Sequence, residues 1–155
     1  MLEMKDILLQ FLNEVSKEIK AEQTRQGRVA SGKTAQSLEP EATDKVGILY
    51  GNISVNVLET GRKGGKVPGG FKSIIYQWMK DKGIFQAESE AKQNSIAYLI
   101  ARKIKDEGTS LYRNGGKSGV LSNIITERRI DSFEYIVLRR FGREVTEEVI
   151  TTFAK

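Results

Sequence analysis

Two glycine-rich basic stretches limit what this chain can fold into. ETGRKGGKVPGGF spans residues 59–71, and TSLYRNGGKSG spans residues 109–119. Neither sustains a helix or a strand, so apolar patterning is confined to shorter blocks on either side of them. The longest apolar cluster, IAYLIA, is far too short to cross a membrane. The opening MLEMKDILLQFLNEV mixes acids into its apolar residues, unlike a secretion signal. The reading is therefore one domain over residues 1–155, with no membrane partner.

Each block has its own rhythm. Ile7, Leu8, Phe11, Leu12, Val15 and Ile19 recur at three- and four-residue spacings, which predicts an amphipathic helix over residues 1–26. Residues 34–58 read as a small antiparallel sheet. Lys45–Tyr50 and the alternating Ile53, Val55 and Val57 supply two strands, Gly51-Asn52 a hairpin turn, and Thr34–Leu38 a third short strand.

A flexible loop follows at 59–71, then a helical pair over 72–108. In its first helix Ile74, Ile75, Trp78 and Met79 share a face and Gly83 stops the chain. In its second, Ile96, Leu99, Ile100 and Ile104 point inward and Gly108 caps the end. Trp78 and Tyr98 are both assigned to packing.

After the 109–119 loop come C-terminal helices over 120–155. They open at Leu121, Ile124 and Ile125 and break near Arg128–Ile130, where Asp131 and Glu134 offer a capping box. An apolar stripe runs from Phe133 through Ile136, Val137 and Phe141 to Val145, Val149, Ile150 and Phe153. Gly142 interrupts it, by a close neighbour or a local bend. The fold class is α+β: an N-terminal amphipathic helix and C-terminal helices packed on a small antiparallel sheet, with long basic glycine-rich loops.

Composition removes most enzyme chemistry. The chain has no histidine and no cysteine, which excludes the commonest general base, the commonest metal ligand and every thiolate site. The net charge of +5 is uneven. Residues 1–60 carry 7 basic and 9 acidic groups, residues 61–118 carry 12 and 5, and residues 119–155 carry 6 of each. The positive middle suits nucleic acid or an acidic protein surface. Asp106-Glu107 and Glu147-Glu148 are adjacent pairs whose members point apart on a helix, so neither forms an acid/base or metal site.

One motif invites a nucleotide. GRVASGKT, Gly27–Thr34, fits G-x-x-x-x-G-K-[ST] at every fixed position. Its context is wrong: a polar helical segment precedes it instead of a buried strand, and Pro40 follows too soon for a stable helix. No catalytic, cofactor-binding or metal-binding residue is assigned.

The middle of the chain nevertheless has a familiar look. A Glu-x-Gly-Arg segment (Glu59, Gly61, Arg62) leads into a Gly-Lys-x-Pro loop (Gly65, Lys66, Pro68). A helix with a central tryptophan (Trp78) ends in Lys82-Gly83-Ile84, and AYLIARKI (Ala97 to Ile104) is closed by Gly108-Thr109. In these features the chain resembles small virion proteins of tailed bacteriophages: neck, head–tail connector, tail-completion or minor structural proteins. SGKTAQSL (Ser31 to Leu38) also looks like the start of such proteins. Gly64 and Gly69 depart from the pattern, standing where related loops often carry proline.

The resemblance implies assembly without catalysis. The chain would form a ring with copies of itself between portal or adaptor and tail proteins, around the channel through which packaged DNA passes. It would reside in the virion, assembled in the host bacterial cytoplasm. On this reading Glu59, Gly61, Arg62, Lys63, Lys66, Arg113 and Lys117 contact a neighbouring subunit or the DNA. The competing reading from composition is an accessory protein that binds nucleic acid nonspecifically through residues 61–118.

Overall fold

The structure, a computed structural model, describes the backbone of residues 3–153 and the side chains of residues 3–143. It is an α+β fold: helices α1 (Met4–Arg25) and α2 (Lys33–Gln36), strands β1 (Glu39–Ala42) and β2 (Gly47–Tyr50), then helices α3 (Ile53–Thr60), α4 (Phe71–Lys82), α5 (Glu90–Glu107), α6 (Ser110–Arg113) and α7 (Glu127–Phe153). Among the described residues no helix is long and apolar enough to cross a membrane.

The expected N-terminal helix is α1, whose apolar stripe buries Val15 and Ile19. It covers one face of the hairpin, where Pro40, Ala42, Gly47 and Leu49 are half-buried while Glu39, Glu41, Ile48 and Tyr50 face out. The strands pair antiparallel, Glu39 opposite Tyr50 and Ala42 opposite Gly47.

The turn joining them lies at Thr43–Val46, not at Gly51-Asn52. The Thr43 N–H donates to the Val46 carbonyl at 2.8 Å, and the Thr43 hydroxyl accepts from the Val46 N–H at 3.1 Å. Pro40 is tolerated because a two-stranded sheet leaves β1 one free edge for a residue without an N–H.

Two expected strands are helical. Ile53–Thr60 is α3, because the Asn52 side chain accepts from the Ser54 N–H at 3.1 Å and caps a helix instead of turning a hairpin. The same residues then bury at a four-residue step, Val55 with Glu59, and Ile53 is left 80% exposed. Thr34–Gln36 lie in the single turn of α2, closed by the Ser37 hydroxyl on the Thr34 carbonyl at 2.7 Å, and Leu38 follows it.

Buried side chains form two clusters. The first joins Val15 and Ile19 of α1 to Leu38, Val55, Val120 and Ile124. The second is the α4–α5 interface, where Ile75 and Met79 meet Ala97 and Ala101. The two alanines let the helices approach closely, and Gly83 and Gly108 end them as expected. Trp78, Tyr98 and Leu99 are exposed instead of packed, at 39%, 52% and 61%. Trp78 and Tyr98 flank the alanine seam, where a neighbour as small as alanine does not reach out to cover them, and Leu99 lies on the opposite side of α5 from the seam.

The C-terminal region differs most from expectation. Residues 120–124 are turns, and α7 runs unbroken through Arg128–Ile130 and through Gly142. The Thr126 hydroxyl accepts from the Arg129 N–H at 3.3 Å, so Thr126 holds the helix start and Asp131 lies within it. Among the described residues nothing lies within 4 Å of where a β-carbon on Gly142 would stand.

Among its described side chains, helix α7 packs on α1 and not on the sheet. Phe133 stacks on Phe11 with ring centroids 4.1 Å apart, and Arg129 clasps Glu18, with Nη2 to Oε1 at 2.8 Å. The side chains of Val145, Val149, Ile150, Phe153 and the pair Glu147-Glu148 lie outside the described residues.

Ala97 is fully buried, so Ala97→Leu should separate α4 from α5 and lower the unfolding free energy by about 1–3 kcal/mol in a denaturant titration.

Candidate functional site

The two basic glycine-rich loops, far apart in sequence, form one joint. Glu59 ends α3 as a buried carboxylate, and the segment after the second loop closes around it. Its oxygens accept from the Leu121 N–H at 2.8 Å, the Ser122 hydroxyl at 2.6 Å, the Ser118 hydroxyl at 3.3 Å and the Gly119 N–H at 3.4 Å. The Ser118 N–H also donates to the Glu59 carbonyl at 2.9 Å. Gln26, just past α1, joins in by donating its side-chain amide to the Ser118 carbonyl at 3.0 Å.

Burial pushes the Glu59 carboxyl up. The bonds from Leu121, Ser122 and Gly119 outweigh that and hold it below the ordinary carboxylate range.

Backbone contacts fasten the loops further along. The Arg62 N–H donates to the Thr109 hydroxyl and the Thr109 N–H to the Arg62 carbonyl, both at 2.9 Å. The Gly65 N–H donates to the Lys105 carbonyl at 2.7 Å. This crossing demands glycine. A β-carbon on Gly108, which has φ +84°, would sit 2.7 Å from the Arg62 carbonyl oxygen, and one on Gly61 would sit 2.5 Å from the Tyr112 nitrogen. The 59–71 loop, read as flexible in sequence, is therefore pinned along its first half.

The seven residues singled out in the sequence divide by this geometry. Glu59 and Gly61 are internal parts of the joint. Arg62 is half-buried: its guanidinium lies 5.4 Å from the Phe71 ring centroid and donates to the Lys66 carbonyl at 3.0 Å, while its buried Nε has no acceptor among the described residues. Arg113 pairs with Glu107 at 2.8 Å. Lys63, Lys66 and Lys117 project into solvent. Sequence reasoning did not foresee Ser118 and Ser122, and a serine spacing carries no sign of a carboxylate some sixty residues earlier.

The phosphate-loop match has no nucleotide-binding setting. Helix α1, not a strand, leads into Gly27. A helix does start at the lysine, contrary to expectation, but α2 has four residues, too few to build a helix dipole, and Lys33 is exposed. The Gly27 carbonyl accepts from the Lys82 ammonium. Among the described residues no three acidic side chains gather as a metal site. Comparison with protein-family profiles, with curated proteins and with solved structures yields no match.

Two substitutions probe the joint. Glu59→Gln replaces one acceptor oxygen with a donor facing donors and should cost about 1–3 kcal/mol at neutral pH. Because folding depresses this carboxyl's pKa, its contribution is present at neutral pH and is lost as pH falls through the folded value. The gap between wild type and Glu59→Gln, followed by thermal melts, should close in acid. Gly108→Ala should cost about 1–3 kcal/mol and raise amide exchange at Gly65 and Thr109, whose bonds it displaces.

Proposed function

We propose that this chain is a non-enzymatic structural subunit of a tailed-phage particle: a ring-forming neck, head–tail connector or tail-completion protein. The observation that carries the reading is an apolar surface left exposed among the described residues. On α7, Ile130, Leu138 and Phe141 are exposed at 49%, 61% and 45%, on a helix of 27 residues whose visible packing is confined to α1. Such a surface on a single chain marks a site of association. The Glu-x-Gly-Arg, Gly-Lys-x-Pro and Ala-x-x-Ile-x-Arg-Lys-Ile features support the particular setting.

In that setting the joint around Glu59 is the rigid part of the subunit. The exposed Lys63, Lys66 and Lys117 face an acidic neighbour or the DNA in the channel. The second reading, an accessory protein binding nucleic acid nonspecifically, draws on the same lysines. It is weakened because two of the expected cations, Arg62 and Arg113, are engaged within the chain.

Mass spectrometry of gradient-purified particles should find the chain in the virion, and disrupting its gene should yield heads and tails that do not join. Normal infectious particles lacking the chain would overturn the proposal. Tight binding of duplex DNA by a persistent monomer, measured at two salt concentrations, would favour the accessory reading instead.

A further inference from the structure

Helix α7 has two flanks of opposite charge, one on each side of its contact with α1. With 3.6 residues per turn and Phe133 facing α1, Glu127, Asp131 and Glu134 all fall on one side, together with Ile130, Leu138 and Phe141. All five arginines of residues 127–143 fall on the other. That second side opens into a groove of about 340 Å³ between α1 and α7. Ile7, Phe11, Phe133 and Ile136 give the groove apolar walls, and Arg129, already paired with Glu18, and Arg140 lie among its lining. Glu14 also lines it; the Glu18 hydrogen bond chiefly, and the Glu14 charge after it, hold Arg129 protonated, and the exposed Arg139 and Arg143 carry positive charge alongside.

We propose that these two flanks bind each other between copies of the chain: the acidic apolar flank of one α7 seats in the arginine-bearing α1–α7 groove of the next. Shape and charge agree. The convex side offers three exposed apolar side chains beside three carboxylates, and the concave side offers an apolar cleft beside the exposed Arg139 and Arg143. Because the two patches lie on opposite sides of α7, one copy cannot present both to the same neighbour, so the contact is head-to-tail, the kind that closes into a ring or extends as a filament. Two like flanks brought together would instead oppose like charges. The inference rests on the self-associating part of the proposed function and does not require the virion setting.

The absence of cysteine makes the test direct. Gln10→Cys labels the groove and Leu138→Cys labels the apolar flank, both at exposed positions. When the two purified variants are mixed and mildly oxidised, the mixed disulfide dimer should predominate over dimers of either variant with itself. Predominant Leu138→Cys self-dimers would mean a two-fold symmetric contact and would overturn the proposal, as would no cross-link at the solubility limit.

Charge exchange supplies a second readout by sedimentation velocity. Glu134→Arg, and separately Arg139→Glu with Arg143→Glu, should each weaken self-association about tenfold, and mixing the two should restore it. Failure to restore would overturn the pairing of flanks. These measurements need only the purified chain, so a negative result removes this interface while the particle assay still decides the virion reading.

Discussion

The buried Glu59 carboxylate is the interaction on which the rest of the arrangement depends. A carboxylate taken out of water is costly unless hydrogen bonds replace its hydration, and four donors from residues 118–122 do so here. Those bonds fix the end of α3 against the chain segment that enters α7. They also place Val120 and Ile124 in the cluster with Val15 and Ile19 of α1. Gln26 draws the exit of α1 to the same point through Ser118. One side chain thus ties the N-terminal, middle and C-terminal parts of the protein together.

Around that tie the loops acquire order that their composition conceals. Glycine at 61 and 108 is read from sequence as freedom, but in the fold it permits close approach: two backbones cross where a side chain would collide. Basic residues in the same loops divide into those turned inward, such as Arg62 over Phe71, and those left to solvent. Loop charge alone therefore overstates the cationic surface open to a partner.

What the sequence disclosed depended on how far each signal reaches. Helices α1, α4 and α5 were legible because apolar spacing and a terminal glycine are local. ISVNV misled because it satisfies a two-residue and a four-residue period at once, and the deciding contact is the Asn52 cap. EPEA could not be read as a strand, since proline and glutamate have little strand propensity. It is held by the Thr43 turn and by α1 over Pro40 and Ala42. Glu59 stood out through the family resemblance, while its partners were invisible because the contact spans about sixty residues. Trp78, Tyr98 and Leu99 were misassigned because periodicity shows which residues share a face and not whether anything covers it.

The small hairpin has one more effect, on how a further strand could add to it. Pro40 stands opposite Leu49 at the middle of β1, and lacking an N–H it cannot be part of a bonded pair, so its ring nitrogen points to the outer edge. That edge has no donor at its centre and is a poor template for a strand from another molecule. Proline there works as a guard on β1: it turns strand growth away from that edge, while the outer edge of β2, GILY, keeps its backbone donors.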